Sequence, residues 1–181
     1  ALAKIELGEA GAVVPAASQG TMNNLTIGGY DTDRERTFAY YETVGGGMGA
    51  RPNSDGPSAA HSHMTNTLNT PIEALEFDYP LRLLRYELRP GSGGGGKYKG
   101  GNGIRRDIQF LVDSEVTILS ERRRLAPYGL FGGNPGKKGK NLLVRDDQVT
   151  TLPGKVSITV QAGDVLSLRT PGGGGYGSED I

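Results

Sequence analysis

The sequence predicts a mainly β chain: an antiparallel sandwich or barrel-like fold with long glycine-rich loops and one short helix near residues 71–77. Three observations predict it. The 181 residues include 30 glycines and 10 prolines, so turns and irregular backbone are abundant. The apolar share is only 35%. After Pro90 one short alternating segment follows another, separated by Gly and Pro, and that pattern belongs to antiparallel architectures.

The elements follow in order. Residues 1 to about 60 read as loop-rich, with short strands at Asn24–Ile27 and Thr37–Tyr41. Thr70-Pro71-Ile72-Glu73 has the form of a capping box, in which Thr70 caps, Pro71 needs no N–H partner and Glu73 reaches back. A helix over Pro71–Phe77 is expected, closed by Pro80, which disfavours helical backbone at Tyr79. Leu81–Leu88 alternates as a strand, but its apolar phase slips between Leu83 and Leu84, which predicts a bulge. Ile108, Phe110 and Val112 share one face of the next strand. Val116–Ser120, Asn141–Val144, Val156–Val160 and Val165–Leu168 continue the series, the last two flanking a hairpin turn at Gln161–Asp164.

Composition removes whole classes of function. With no Cys there are no disulfides, thiolate metal sites or thiol nucleophiles. Equal numbers of basic and acidic side chains, 20 of each, argue against a protein that gains affinity by neutralising many phosphates, so no nucleic-acid partner is expected. No apolar run approaches the roughly 18–20 residues that cross a bilayer, and the start lacks a leader pattern. No membrane association is expected, and the cytoplasm is the default compartment.

Four motifs can carry chemistry. Gly91–Lys97 (GSGGGGK) satisfies the first part of a phosphate loop, but Tyr98 stands where Ser or Thr must hold magnesium, and the glycines that follow cannot open a helix. It reads as a connection between strands. Gly172–Gly177 (GGGGYG) matches a dinucleotide fingerprint in form only; its glycines imply either close backbone approach or an unstructured tail. His61 and His63 would point the same way in an extended segment, as two ligands of one metal, as a general acid or base, or as hydrogen-bonding loop residues. Asn66, Asn69 and neighbouring threonines add amides and hydroxyls suited to a polar substrate or to loop capping. Arg122, Arg123 and Arg124, with Lys137, Lys138 and Lys140 a loop away, can hold a phosphate or carboxylate, form a solvated face, or make a subunit contact.

Taken together and in this order, these segments resemble the C-terminal part of the hydantoinase B family, the large subunits or domains of N-methylhydantoinases, 5-oxoprolinases and acetone or acetophenone carboxylases. The matching stretches are PAASQGTMNNLTIGG at 15–29, the long run from Glu42 to Leu111, SERRRLAPYGLFGGNPGKKGKN at 120–141, and TPGGGGYG at 170–177. The resemblance covers nearly the whole chain.

The resemblance implies that residues 1–181 are a single C-terminal portion of a much longer protein, with a loop-rich part to residue 60 and a mainly β part beyond. It implies ATP-dependent hydrolysis of a cyclic amide, in which phosphorylation of the ring oxygen overcomes amide resonance; ketone carboxylation is the alternative activity and a non-catalytic assembly role the alternative class. ATP and a divalent metal belong to the full complex, and neither is expected on this portion, so no metal ligand is assigned and the isolated portion is expected to be inactive. Its partners would be a hydantoinase A-like subunit or domain, the missing N-terminal part and a small cyclic amide, in a homo- or hetero-oligomer. On this reading His61, His63 and Asn66 stand nearest the chemistry. Gly46, Gly47, Arg51, Asn69, Arg122, Arg123 and Arg124 are the expected substrate contacts.

Overall fold

In the computed structural model, residues 14–62 and 64–178 are described. Nine strands form two open antiparallel sheets, and no barrel closes among the described residues. The strands are β1 (Asn23–Asp31), β2 (Arg36–Thr43), β3 (Leu81–Leu88), β4 (Ile104–Phe110), β5 (Ser114–Ser120), β6 (Lys140–Arg145), β7 (Gln148–Leu152), β8 (Lys155–Val160) and β9 (Val165–Arg169), with helix α1 (Ile72–Asp78) between β2 and β3. One sheet has the order β2-β1-β5-β8 and the other β3-β4-β9-β6-β7.

The two-residue period builds the core between them. β5 alternates without exception, with Ser114, Val116, Ile118 and Ser120 inside. Leu25, Ile27, Phe38 and Tyr40 join it from β1 and β2, and meet Leu81, Ile108, Phe110 and Leu166 from the other sheet in one buried cluster. Leu75 is the side chain that α1 buries there. The predicted bulge is present: pairing of β3 with β4 shifts between Leu83 and Arg85.

Three local expectations change. The helix runs Ile72–Asp78, but the capping box does not form: Pro71 occupies the cap position and no side chain caps the helix. Thr70 is diverted because the carboxylate of Glu42 accepts its N–H at 2.7 Å. Carbonyls at the other helix end accept instead from the β1–β2 loop and the start of β2, Phe77 O from Arg34 at 2.9 Å and Asp78 O from Arg36 at 2.8 Å. Second, Gln161–Asp164 is a tight turn with Gly163 at φ +94°, but it is not a hairpin. β8 pairs with β5 and β9 pairs with β4 and β6, so the turn carries the chain from one sheet to the other. Third, β7 has no counterpart in the sequence reading. Its polar residues hide a true hairpin with β6, turned by Asp146 and Asp147 at φ +47° and +62°.

The sheet-changing turn carries a pH-sensitive contact. Asp164 shares the Nε–H of Arg145 between its two oxygens, accepts from Nη2 at 2.6 Å, and accepts from the Gln161 N–H as well. The Arg145 bond, acting against burial, holds the Asp164 carboxyl below its ordinary range. A depressed carboxylate contributes stability above its unfolded value and loses it as pH falls through the folded one. Melting temperature should therefore decline below about pH 4, and Asp164→Asn should flatten that decline. An unchanged acid slope in the variant would contradict this assignment.

Glycines outside the sheets form a third structural feature. The Gly172–Gly175 run lies among four other segments and bonds to each through backbone: Gly94 N–H donates to Gly173 O, Gly173 N–H to Gly101 O, Gly174 N–H to Ala17 O and Gly175 N–H to Asn134 O, all at 2.8–2.9 Å. A Cβ on Gly173 would fall on the Met48 carbonyl, and one on Gly47 on the Gly101 carbonyl. Of the two readings of this run, close backbone approach is the one observed.

Candidate functional site

The site is organised around a buried ion pair. β2 places Phe38, Tyr40 and Glu42 in one inward phase; β4 places Ile104, Arg106 and Ile108 in another. Glu42 and Arg106 therefore meet inside the sandwich, both essentially without solvent exposure. Glu42 Oε2 accepts from Arg106 and from the Tyr40 hydroxyl, the latter at 2.6 Å, while Oε1 takes the Thr70 N–H. Burial first, then the Glu42 charge, pushes the Tyr40 hydroxyl well above its ordinary value, so it remains a proton donor to Glu42. The Tyr86 ring lies under the Arg106 guanidinium at 5.1 Å.

From Tyr86 the network continues to the histidine segment. Asn69 Nδ2 donates to the Tyr86 hydroxyl at 2.6 Å, and Asn69 Oδ1 accepts from Gly45 N–H at 3.3 Å. The Gly45 donor fixes the orientation of the amide. Asn69 Oδ1 then also accepts from His61 Nε2 at 3.1 Å, which puts a proton on Nε2. The other ring nitrogen, Nδ1, lies 3.0 Å from Thr65 Oγ1, and that hydroxyl stands 3.2 Å from Ser62 O. His61 thus contacts Asn69 through one ring nitrogen and Thr65 through the other, and is half-buried.

An open cleft of about 370 Å³ lies beside this network. Thr43, Thr65, Thr67, Thr70, Tyr41 and Glu42 are among its lining residues. His61 is behind Thr65 rather than on the wall. Asn66 is exposed, at φ +27° in the turn that returns its N–H to Ser62 O. His63 lies outside the described residues.

The remaining expected contacts are placed as follows. Gly46 N–H donates to Ala60 O and Gly47 N–H to Pro171 O, so both backbone donors are engaged inside the protein. Arg51 is exposed, and its backbone bridges to Ser54. Arg123 turns inward and joins the sheets: it donates to Asn23 of β1 and to Asn141 of β6. Burial, and then the charge of Arg89, pull its guanidinium down to about 9. Asn23 donates to Gln19, which donates to Ala60 O beside His61, so Arg123 reaches the histidine segment through a buried polar chain. Among the described residues, no hydrogen bond ties the Arg51, Arg122 or Arg124 side chains to that network.

Glu42, Arg106 and Tyr86 were missed as site residues. The usable signal was phase: a carboxylate and a guanidinium each occupied an inward position of an alternating strand, where a charge needs a partner.

Cofactor fit is poor. Among the described residues, no group of three or more His, Cys, Asp or Glu converges on a point where a metal could sit. In the Gly91–Lys97 loop, Gly93 N–H is held by Asn102, Gly94 N–H by Gly173 O and Lys97 N–H by Gly177 O, so these donors are not open to a phosphate. Among the described residues, no helix is long and apolar enough to cross a membrane.

The fold is shared across most of the chain with known proteins. The chain belongs to the hydantoinase B/oxoprolinase family, whose model matches residues 2–179. It is 46% identical to a 5-oxoprolinase of Dictyostelium discoideum, over 91% of this chain and 13% of that protein. It is 49% identical to 5-oxoprolinase 1 of Arabidopsis thaliana, over 90% of this chain and 12% of that one. The chain therefore spans about an eighth of the length of these relatives. An ATP-dependent caprolactamase from Pseudomonas jessenii superposes with a TM-score of 0.80 at 26% identity, covering 91% of this chain and 30% of that one. A nucleotide-free acetone carboxylase shares the fold, with a TM-score of 0.77 at 20% identity over 91% of this chain and 26% of the other.

Proposed function

We infer that this chain is a module of a longer ATP-dependent hydrolase of cyclic amides, of the N-methylhydantoinase or 5-oxoprolinase type. The module supplies one wall of the substrate site and contacts with the rest of the assembly, which includes a hydantoinase A-like subunit or domain, in the cytoplasm. One observation carries the reading: a small cleft edged by hydroxyls and backed by the buried Glu42–Arg106 network through Asn69 and Tyr86. A cyclic amide presents one N–H and one C=O in fixed relation, and hydroxyls both donate and accept, so threonines on a rigid backing can orient it.

His61 is a positioning residue in this account, because its Nδ1 reaches the cleft through Thr65. His63 and Asn66, neighbours of His61 in sequence, are proposed to act on the substrate as well. Gly46, Gly47, Arg51 and Asn69 are proposed to shape the substrate's surroundings, with Arg122, Arg123 and Arg124 toward its periphery. ATP and the divalent metal are assigned to the rest of the longer protein, since the donor sets here do not suit them.

The test is turnover by the full-length protein with hydantoin, 5-oxoproline and acetone, with and without bicarbonate. The expected result is ATP-dependent hydrolysis of a cyclic amide, reduced roughly tenfold or more by Asn69→Ala with assembly intact. Bicarbonate-dependent turnover of acetone alone would favour the ketone carboxylase reading, to which the likeness to acetone carboxylase in fold lends weight. Full activity in Asn69→Ala would favour a purely structural module.

A further inference from the structure

We propose that the basic end of this module, formed by the loops at 120–131, 137–140 and 153–155, docks onto an acidic surface of the same longer polypeptide, outside residues 1–181. The inference rests on the reading of the chain as part of a longer protein and names the partner of one face. The chain is electrically neutral, yet these loops gather seven cations: Arg122, Arg123, Arg124, Lys137, Lys138, Lys140 and Lys155. The fold brings their segments together. Gly139 N–H donates to Arg122 O at 3.0 Å, the Arg123 guanidinium lies against Gly139, and Arg122–Arg124 share an open pocket of about 640 Å³ with Lys155.

The acid in these loops is Glu121, and it is already engaged by the Thr21 N–H at 2.9 Å. Among the described residues, none of the seven cations forms an ion pair with a carboxylate. Glu121 feels the charges of Arg122 and Lys155, and one carboxylate set against seven cations leaves this end with a net positive charge that an acidic surface would complement. Arg123 sharpens the need, since neutral amides and a carbonyl hold its largely buried charge.

A protein surface suits this end better than a free anion. The same loops expose Leu125 at 74%, Phe131 at 65% and Tyr128 at 50%. Arg122 lies 5.9 Å over the Tyr128 ring, and Phe131 packs against Tyr176 with the rings tilted by 44°. Arginine beside exposed aromatic and aliphatic side chains is the composition of buried interface centres, whereas a small anion would leave the apolar groups in water. Arg122 and Phe131 both hold left-handed backbone, at φ +56° and +50°, a conformation that residues with a Cβ adopt only at a cost. The source is the same polypeptide because the relatives extend far beyond the matched region, which is 12–13% of the 5-oxoprolinases.

The test is lysine acetylation of the native full-length protein with N-hydroxysuccinimidyl acetate, read residue by residue by mass spectrometry against the unfolded chain. Lys137, Lys138 and Lys155 are exposed in the module. In the full protein at least one of Lys138 and Lys155 is expected to react about tenfold or more slowly than when unfolded. Carbodiimide is expected to join one of them to an Asp or Glu of the same polypeptide beyond this chain. Reaction of both lysines at the unfolded rate would overturn the proposal. So would a crosslink only to a second copy, or protection that appears only when inorganic pyrophosphate is added. None of these readouts involves turnover, so a protein in which His61→Ala or Asn69→Ala keeps full activity but Lys155 is shielded refutes the substrate-wall reading and leaves this docking face standing.

Discussion

Gly173→Ala should abolish folding, or lower stability by about 3 kcal/mol or more. The added Cβ would overlap the Met48 carbonyl and stand 2.8 Å from Gly49 N, and neither is a flexible side-chain tip. Relief would require the 45–50 segment to withdraw. Gly101 N–H donates to Met48 O and Ala50 N–H to Gly174 O, so withdrawal would also break backbone bonds in the layer. Two glycines serve as controls. At Gly28 the nearest atom to a new Cβ is the Phe38 carbonyl at 3.6 Å, so Gly28→Ala should be within about 0.5 kcal/mol of the parent. Gly163 has open space but φ +94°, so Gly163→Ala should cost about 1–2 kcal/mol through backbone strain alone. Denaturant unfolding of the three variants distinguishes the effects. Equal stability of Gly173→Ala and Gly28→Ala would mean that the glycine layer is not close-packed.

Arg106→Met should be the most damaging substitution in the site, costing about 3–5 kcal/mol because it strands the Glu42 carboxylate inside the sandwich. Arg106 shows no exposure, and Glu42 otherwise keeps only the Tyr40 hydroxyl and the Thr70 N–H. Neutralising the partner as well should recover much of the loss, since Glu42→Gln removes the charge but retains acceptor and donor atoms. The double variant Glu42→Gln/Arg106→Met should therefore be more stable than Arg106→Met alone, by roughly 1–3 kcal/mol. Turnover should not recover with stability, because the Tyr86 ring loses the cation beneath which it is held, and Tyr86 positions Asn69. Urea unfolding of both variants, paired with rates in the full-length protein, checks the separation. Additive losses in the double variant would show that Glu42 and Arg106 do not act as a pair.

The sheets were legible because their side chains alternate. The bulge at Leu83, the burial of Ile108 and Phe110, and the β5 pattern follow from a period of two and require no long-range information. Sheet membership was not legible. The Gln161–Asp164 turn looks like a hairpin in sequence, and only the partners of β8 and β9 show that it changes sheets. The capping box failed for a related reason: Glu42, 28 residues upstream of Thr70, claims the Thr70 N–H, and a local motif cannot register a distant carboxylate.

The candidate site was half legible. The histidine and asparagine run stood out because its residue types carry chemistry, and the structure joins His61 to Asn69. What backs that run was hidden, since Glu42, Arg106 and Tyr86 are distributed over three strands that come together only in the fold. The glycine runs had a physical reason, close backbone approach, and their partners were invisible because a glycine names no neighbour.

The most direct measurement is the steady-state rate of ATP-dependent 5-oxoproline or hydantoin hydrolysis by full-length His61→Ala, with folding and assembly verified in the same preparation. Loss of the group that braces Thr65 and Asn69 at the cleft should lower kcat/KM by about 10- to 100-fold while the protein remains folded and assembled. A variant that is folded, assembled and as active as the parent would contradict the account.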